Sequence, residues 1–241
     1  YYGWQTVAHK AKMLNSREYM TIMDESSINS GGAPYDWANM HSIYDAAGDI
    51  IDTDWLDQMF HNGAASQSYT LGVSGGSATS TYAISAGYLN QEGIVGGPDV
   101  SNFSRYNFRV NSDHKLFDGL IEVGEQASFV YSKQRGQDIG NQYYGMTQTL
   151  KDAFNTSPLA PVYNAQGELN NTSNSDWYTS DANPYGRMLV NSYNQNKRSY
   201  FTANAYVQVQ PIKNLKLRTV FGVNYTTTEN RNFTPLYAFS P

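Results

Sequence analysis

The 241-residue sequence contains no cysteine, which excludes disulfides, thiolate metal sites and cysteine nucleophiles. Charge is scarce too: Asp, Glu, Lys and Arg make up 15% of the chain, against the roughly 25% usual in soluble domains. Lys and Arg number 16 against 21 Asp and Glu, so the net charge is −5 and no basic surface is on offer to nucleic acid. Nowhere is there a run of the ~18 apolar residues that a helical membrane span needs. Aromatic residues, by contrast, are plentiful at 14%, including 20 Tyr. With so little net charge per residue, that richness argues against disorder. The chain opens on Tyr1 and closes on Ala238-Phe239-Ser240-Pro241, which reads as mid-loop, so an excerpt of a longer protein is expected.

Few helices are signalled. Asn15 with Glu18 three residues on forms a capping box, and Leu14 with Tyr19 can staple it. Tyr19, Ile22 and Met23 then follow helical spacing. A second short helix is predicted after Thr53, through Asp54 to Phe60, and a third within 146–154. Elsewhere the pattern has period two, the signature of β-strands. Strands are predicted at 65–74, 80–91, 104–113, 120–132, 199–210 and 216–226, with residues 1–7 as a seventh. One face carries Leu71, Ile84, Phe108, Val123, Val207 and Phe221. The other carries Ser68, Ser85, Asn107, Gln126, Asn204 and Gly222.

Alternation alone also fits a soluble β-sandwich. Three features favour a transmembrane antiparallel β-barrel instead. The strands are about as long as the 9–11 residues needed to cross a bilayer at a tilt. Tight turns at 75–79, 114–119 and 211–215 alternate with long excursions at 8–64, 92–103 and 133–198, which puts all short turns at one end. On the apolar face, Tyr69, Tyr88, Tyr106, Phe129, Tyr131, Phe201 and Tyr225 gather toward the long-loop end, as an interfacial girdle would. Seven strands make only a partial arc of a larger barrel, since bacterial single-chain barrels close on even counts. One residue conflicts with this pattern. Glu125 has apolar-face parity near mid-strand, which a parity-shifting bulge or contact with a partner chain would reconcile.

Candidate chemistry is thin. Gly72-Val73-Ser74-Gly75-Gly76 matches the G-x-S-x-G nucleophile elbow, but a strand follows where a helix is required. The four histidines, His9, His41, His61 and His114, lack metal-ligand spacing. No catalytic residue, metal or cofactor is therefore expected, and the chain is not read as an enzyme. Residues 164–185, with Asp176, Asp181 and Asn183, are rich in oxygen ligands but have no EF-hand spacing, so a solvated loop is expected. Tyr143, Tyr144, Trp177 and Tyr178 share the longest loop and are the candidate ligand- or partner-binding residues, because aromatic faces stack on sugar rings. Loop packing is the competing reading for all four.

Several segments resemble the SusC/RagA type of TonB-dependent transporter just past its plug. They are Tyr1-Tyr2-Gly3-Trp4-Gln5, Leu14-Asn15-Ser16-Arg17-Glu18-Tyr19, and Thr53-Asp54-Trp55 followed by Phe60 and Gly63. Ser74-Gly75-Gly76-Ser77 and Tyr88-Leu89-Asn90-Gln91-Glu92-Gly93-Ile94-Val95 resemble the next hairpin, with Asn90 where the family usually has Asp. Thr156 to Tyr163, Asn183-Pro184 and Pro211 to Lys216 complete the series in the family's order. The resemblance implies that residues 1–241 are the N-terminal part of a 22-stranded transmembrane barrel, without its plug and remaining strands. It implies residence in the bacterial outer membrane of Bacteroidetes, and import of an oligosaccharide or peptide nutrient. The implied partners are a SusD-like lipoprotein, a TonB complex reached through the missing N-terminal region, outer-membrane lipid, and a second transporter copy in a dimer. A soluble β-rich carbohydrate-binding module is the alternative.

Overall fold

The computed structural model describes residues 1–136, 149–173, 175–179 and 182–237. Seven strands form one sheet: β1 (Tyr2–Gln5), β2 (Ala64–Gly76), β3 (Ser80–Glu92), β4 (Asn102–Leu116), β5 (Ile121–Arg135), β6 (Gln195–Ile212) and β7 (Leu215–Arg231). Each pairs antiparallel with the next in chain order. The connections β2–β3, β4–β5 and β6–β7 therefore lie at one end and the three long ones at the other, as the short–long alternation predicts. Asn214, at φ 71°, and Gly119, at φ 89°, take the left-handed conformations that such tight reversals demand. Pro211 falls in the register shift between Val209 and Ile212, where a missing N–H costs no ladder bond.

Strands β2 to β7 hold 13 to 18 residues, more than the alternation predicts. The extra residues, such as 195–198 and 228–231, are polar and do not alternate. They continue the ladder because backbone pairing satisfies their N–H and C=O groups whatever the side chain.

Register aligns the faces across the sheet. Leu71, Ala86, Phe108, Phe129, Phe201 and Tyr225 stand directly opposite one another from β2 to β7. One row nearer the long loops, Tyr69, Tyr88, Tyr106 and Tyr131 form a belt, with neighbouring ring centroids 6.5, 4.9 and 6.4 Å apart. These rows are uncovered: Leu71 is 73% exposed and Tyr225 64%. The buried apolar cluster lies elsewhere, in the long connections, around Ile43, Trp55, Leu56, Met59, Leu159 and Met188. A sandwich would bury the apolar face of the sheet, so this arrangement is that of a barrel wall.

The opposite, inner face is polar and interlocked. Tyr206 lies over Gly124 to donate to Asp113 Oδ1 at 2.5 Å and Glu122 Oε1 at 3.0 Å. The Arg218 guanidinium covers its ring at 3.6 Å. A Cβ at Gly124 would stand 2.3 Å from the Tyr206 ring and 2.4 Å from Asp113 Oδ1. Gly124→Ala is thus expected to cost about 1–2 kcal/mol by overpacking. Tyr206→Ala should suppress most of that cost, a non-additivity measurable by denaturant unfolding of the two single variants and the double variant.

The segment Gly72–Gly76 lies in β2 and leads through a short turn into β3, so the elbow geometry does not form. Glu125 is not rescued by a bulge: β5 keeps unbroken register with both β4 and β6.

Candidate functional site

The long connections fold into a layer over the loop end of the wall. Among the described residues, five helices build it: α1 (Ser16–Asn29), α2 (Trp55–Met59), α3 (Gly97–Val100), α4 (Thr149–Asn155) and α5 (Pro184–Asn191). The capping box at Asn15 forms as predicted, with Glu18 N–H donating to Asn15 and Asn15 N–H to Glu18. The staple does not: Leu14 is 44% exposed, while Met13 and Tyr19 pack on the loop core. The predicted third helix is α4, described over Thr149–Asn155; residues 146–148 of the prediction lie outside the described residues.

Asp54 caps α2 by accepting from Asp57 N–H at 3.0 Å, and Lys10 donates to Asp54 at 2.9 Å and also to Asp57. Burial pushes the Asp54 carboxyl up, but the Lys10 and Asp57 hydrogen bonds outweigh it and leave it below the ordinary aspartate value. The resulting stabilisation is present above the unfolded aspartate pKa and is lost as pH falls through the lower folded value. Asp54→Asn keeps the cap and should flatten that acid dependence, read as Trp fluorescence against pH.

Indole and amide side chains tie the three connections together. Trp55 is 1% exposed and its Nε1–H donates to Ser157 O at 3.0 Å, while Thr53 N–H donates to Pro158 O at 2.9 Å. His61 N–H donates to Ile94 O and Gly96 N–H to Met59 O, joining the first connection to the second. Asn183 is fully buried; it caps α5 at Gly186 N–H and donates to Val162 O and Asn170 O. Asn183→Ala should cost about 2 kcal/mol, because it removes the side-chain donor to the Asn170 carbonyl and the cap of a helix end, while the Val162 carbonyl keeps Asn170 N–H. Limited proteolysis of the loops would report the loss.

Of the four candidate aromatics, Tyr143 and Tyr144 lie outside the described residues. Trp177 is 7% exposed, with Nε1–H donating to Ser42 O at 3.1 Å, so it packs inside the layer. Tyr178 is half-buried at φ 52°, a left-handed conformation uncommon for an aromatic residue. It is held against Tyr35, at 4.7 Å between centroids, and Trp37, at 5.6 Å. Asp24 orients this trio by accepting from Tyr35 N–H at 2.9 Å and Trp37 Nε1–H at 3.0 Å. Burial foremost, then the nearby Tyr35 and Asp176, raises the Tyr178 phenol above its ordinary pKa, so it remains a neutral donor. Tyr35 and Trp37 carry no local motif, which is why the sequence does not single them out.

A cavity of about 470 Å³ opens beneath the layer on the inner side of the wall. Gln91, Phe103 and Gln134 stand in one inner row across β3, β4 and β5, with Gln5 beside them and Ile94, Val95 and Leu150 from the layer. Gln91 donates to Gln5 at 3.3 Å. These residues are scattered over the chain, and only inward parity at the loop ends of the strands links them.

An open arc of transmembrane barrel wall, with a folded loop layer and an amide-lined cavity at one mouth, is the class that this geometry defines. No family model matches the chain. A TonB-dependent receptor of Formosa agariphila is 28% identical over 237 residues, 97% of the chain but 21% of that relative. The TonB-dependent receptor SusC of Bacteroides thetaiotaomicron is 32% identical over 146 residues, 55% of the chain and 14% of the relative. The solved RagAB peptide importer in its closed-closed state superposes with a TM-score of 0.68 at 22% identity, covering 95% of the chain and 27% of that structure's chain. These matches agree with the resemblance: over nearly its whole length the chain is similar in sequence to TonB-dependent receptors and in fold to part of the RagAB importer, and it spans about a fifth of the length of the Formosa agariphila receptor.

Proposed function

We propose that the whole protein imports a large nutrient across the bacterial outer membrane, energised by a TonB complex and assisted by a SusD-like lipoprotein. In this reading residues 1–241 supply the first part of the barrel after the plug. The observation that carries it is the polarity of the arc. Every tight turn lies at one end, a folded loop layer lies at the other, and the outer face is apolar with a tyrosine belt. Ordered loops on a rigid scaffold commonly bind, and dozens of residues are spent here where a hairpin needs only a few. Tyr178 with Tyr35 and Trp37 offers ring surface, and the inner cavity offers Gln5, Gln91 and Gln134 amides.

An oligosaccharide is the leading cargo, since rings stack on sugars and amides bond their hydroxyls. A peptide is the second reading. The amide row favours it, because a glutamine side chain matches the donor–acceptor pair of a peptide group. Trp177 serves as the internal pin that holds the loop, and Tyr143 and Tyr144 remain candidates on the same connection.

Deleting 165–182 would remove Trp177 along with the loop, so a point variant tests the role better. Tyr178→Ala with Tyr35→Ala in the full-length protein should leave insertion intact. It should weaken capture of the cognate nutrient or of the lipoprotein about tenfold. Unchanged uptake and unchanged lipoprotein capture would reduce the trio to packing.

A further inference from the structure

Glu125 is the one Asp or Glu among the outward-facing residues of β2 to β6 that lies away from a strand end; Glu92, of the same parity, closes β3 at the loop end. Unbroken register sets it opposite Ser112 and Ala205, in a row with Gly75, Tyr82 and Phe221. The next row toward the loops is apolar, with Val110, Ala127, Ala203 and Val223; the next toward the turns sets Val123 and Val207 among Ser80, His114 and Thr219, and the row beyond is again apolar, with Leu116, Ile121, Val209 and Leu217. Its position is therefore inside the apolar band, on the tight-turn half. A charge there is costly unless something meets it. Ser112, 8% exposed, donates to Glu125 Oε1 at 2.5 Å. The same hydroxyl lies 2.9 Å from His114 Nε2, and His114 Nδ1 lies 3.0 Å from Ser80 Oγ. This chain of groups holds one carboxylate oxygen in place.

A groove starts at the carboxylate. A shallow cavity of about 310 Å³ is floored by Ala127, Ala203 and Ala205 and walled by Phe221 and Val223. It runs from Glu125 toward mid-band, where alanines replace the phenylalanines of the next row. A carboxylate near the turn side, continuous with an apolar channel toward the membrane centre, matches an amphiphile with a cationic head and an acyl tail.

We propose that Glu125 and this groove bind a phospholipid with a primary ammonium headgroup, from the leaflet on the tight-turn side. The ammonium donates to the carboxylate, a charge-assisted bond made stronger by the dry surroundings. One acyl chain lies along the alanine floor. A quaternary choline head lacks N–H donors, and an anionic head is repelled by the carboxylate, so both bind less well. The proposal rests on the reading that the outer face meets lipid.

The test is native mass spectrometry of the full-length protein, released from nanodiscs containing equal phosphatidylethanolamine, phosphatidylcholine and phosphatidylglycerol. Wild type should retain phosphatidylethanolamine over phosphatidylcholine by about tenfold, as expected for one charge-assisted bond. Glu125→Gln should abolish that selectivity, and Ala203→Phe should cut retention of every lipid by filling the groove. Equal retention of all three headgroups by wild type, or selectivity unchanged in Glu125→Gln, would overturn the proposal. So would a two-copy species that dissociates in Glu125→Gln, since a second chain would then occupy the site. A protein that stays dispersed without detergent would instead overturn the membrane reading itself.

Discussion

Trp55→Ala should dismantle the loop layer while the barrel wall stays inserted. The indole is 1% exposed, touches the core that joins the long connections, and donates to Ser157 O from the far side of that core. Removing it opens a cavity and takes from the Ser157 carbonyl one of its two donors, leaving Ala160 N–H, at a cost of about 3–5 kcal/mol. The sheet bears little of that cost, because its strands are held by their own ladder and the indole packs in the layer. Limited proteolysis should then cut within 8–64 and 136–194 many times faster than in wild type, with the heat-modifiable migration of the barrel unchanged. Trp55→Phe, which keeps most of the volume and loses the N–H, should recover more than half of the protection. Equal resistance of Trp55→Ala and wild type would mean that the layer draws its stability from elsewhere.

Val110→Arg should destabilise the inserted protein by about 2–4 kcal/mol, the range for a cation at the midplane of a barrel's lipid face. Val110 stands in the central row of the apolar face with Ile84, Ala127, Ala203 and Val223. Val123 lies two rows nearer the turns, so the same change there should cost less, because the penalty falls toward the interface. Ser128→Arg, one residue from the apolar parity and opposite Arg109, should cost under about 1 kcal/mol. Folding into bilayers against denaturant measures all three. Equal costs for Val110→Arg and Ser128→Arg would show that the two faces do not see different solvents.

The wall was legible because a one-residue slip would turn every side chain over, so each strand carries its own register in its alternation. Leu71, Phe108 and Phe201 announce the outer face, and Asn107, Gln126 and Asn204 the inner one, without help from neighbours. Strand ends were less legible, since residues such as 195–198 and 228–231 pair through the backbone alone. The loop layer was harder again. Its capping residues, Asn15, Asp54 and Asn183, act within three residues and leave a local trace. Its core joins Trp55 to Ser157 and Ser42 to Trp177 across more than a hundred residues, and no local pattern encodes such pairs. The Tyr35, Trp37 and Tyr178 trio depends on those same long-range ties, so only Tyr178 could be nominated from its place on a long loop. Glu125 stood out as an anomaly of parity, but its Ser112 and His114 partners became visible only through cross-strand register.

The most direct measurement is a nitroxide scan along β4 of the full-length protein in bilayers, one labelled position at a time from 105 to 111. Collision with oxygen, which partitions into lipid, is compared with collision by a water-soluble nickel chelate. The barrel-wall account predicts a period of two: oxygen dominates at Tyr106, Phe108 and Val110, and nickel at Arg105, Asn107, Arg109 and Asn111, which line the inner face. Equal access of both reagents at neighbouring positions, or an alternation of opposite phase, would contradict it.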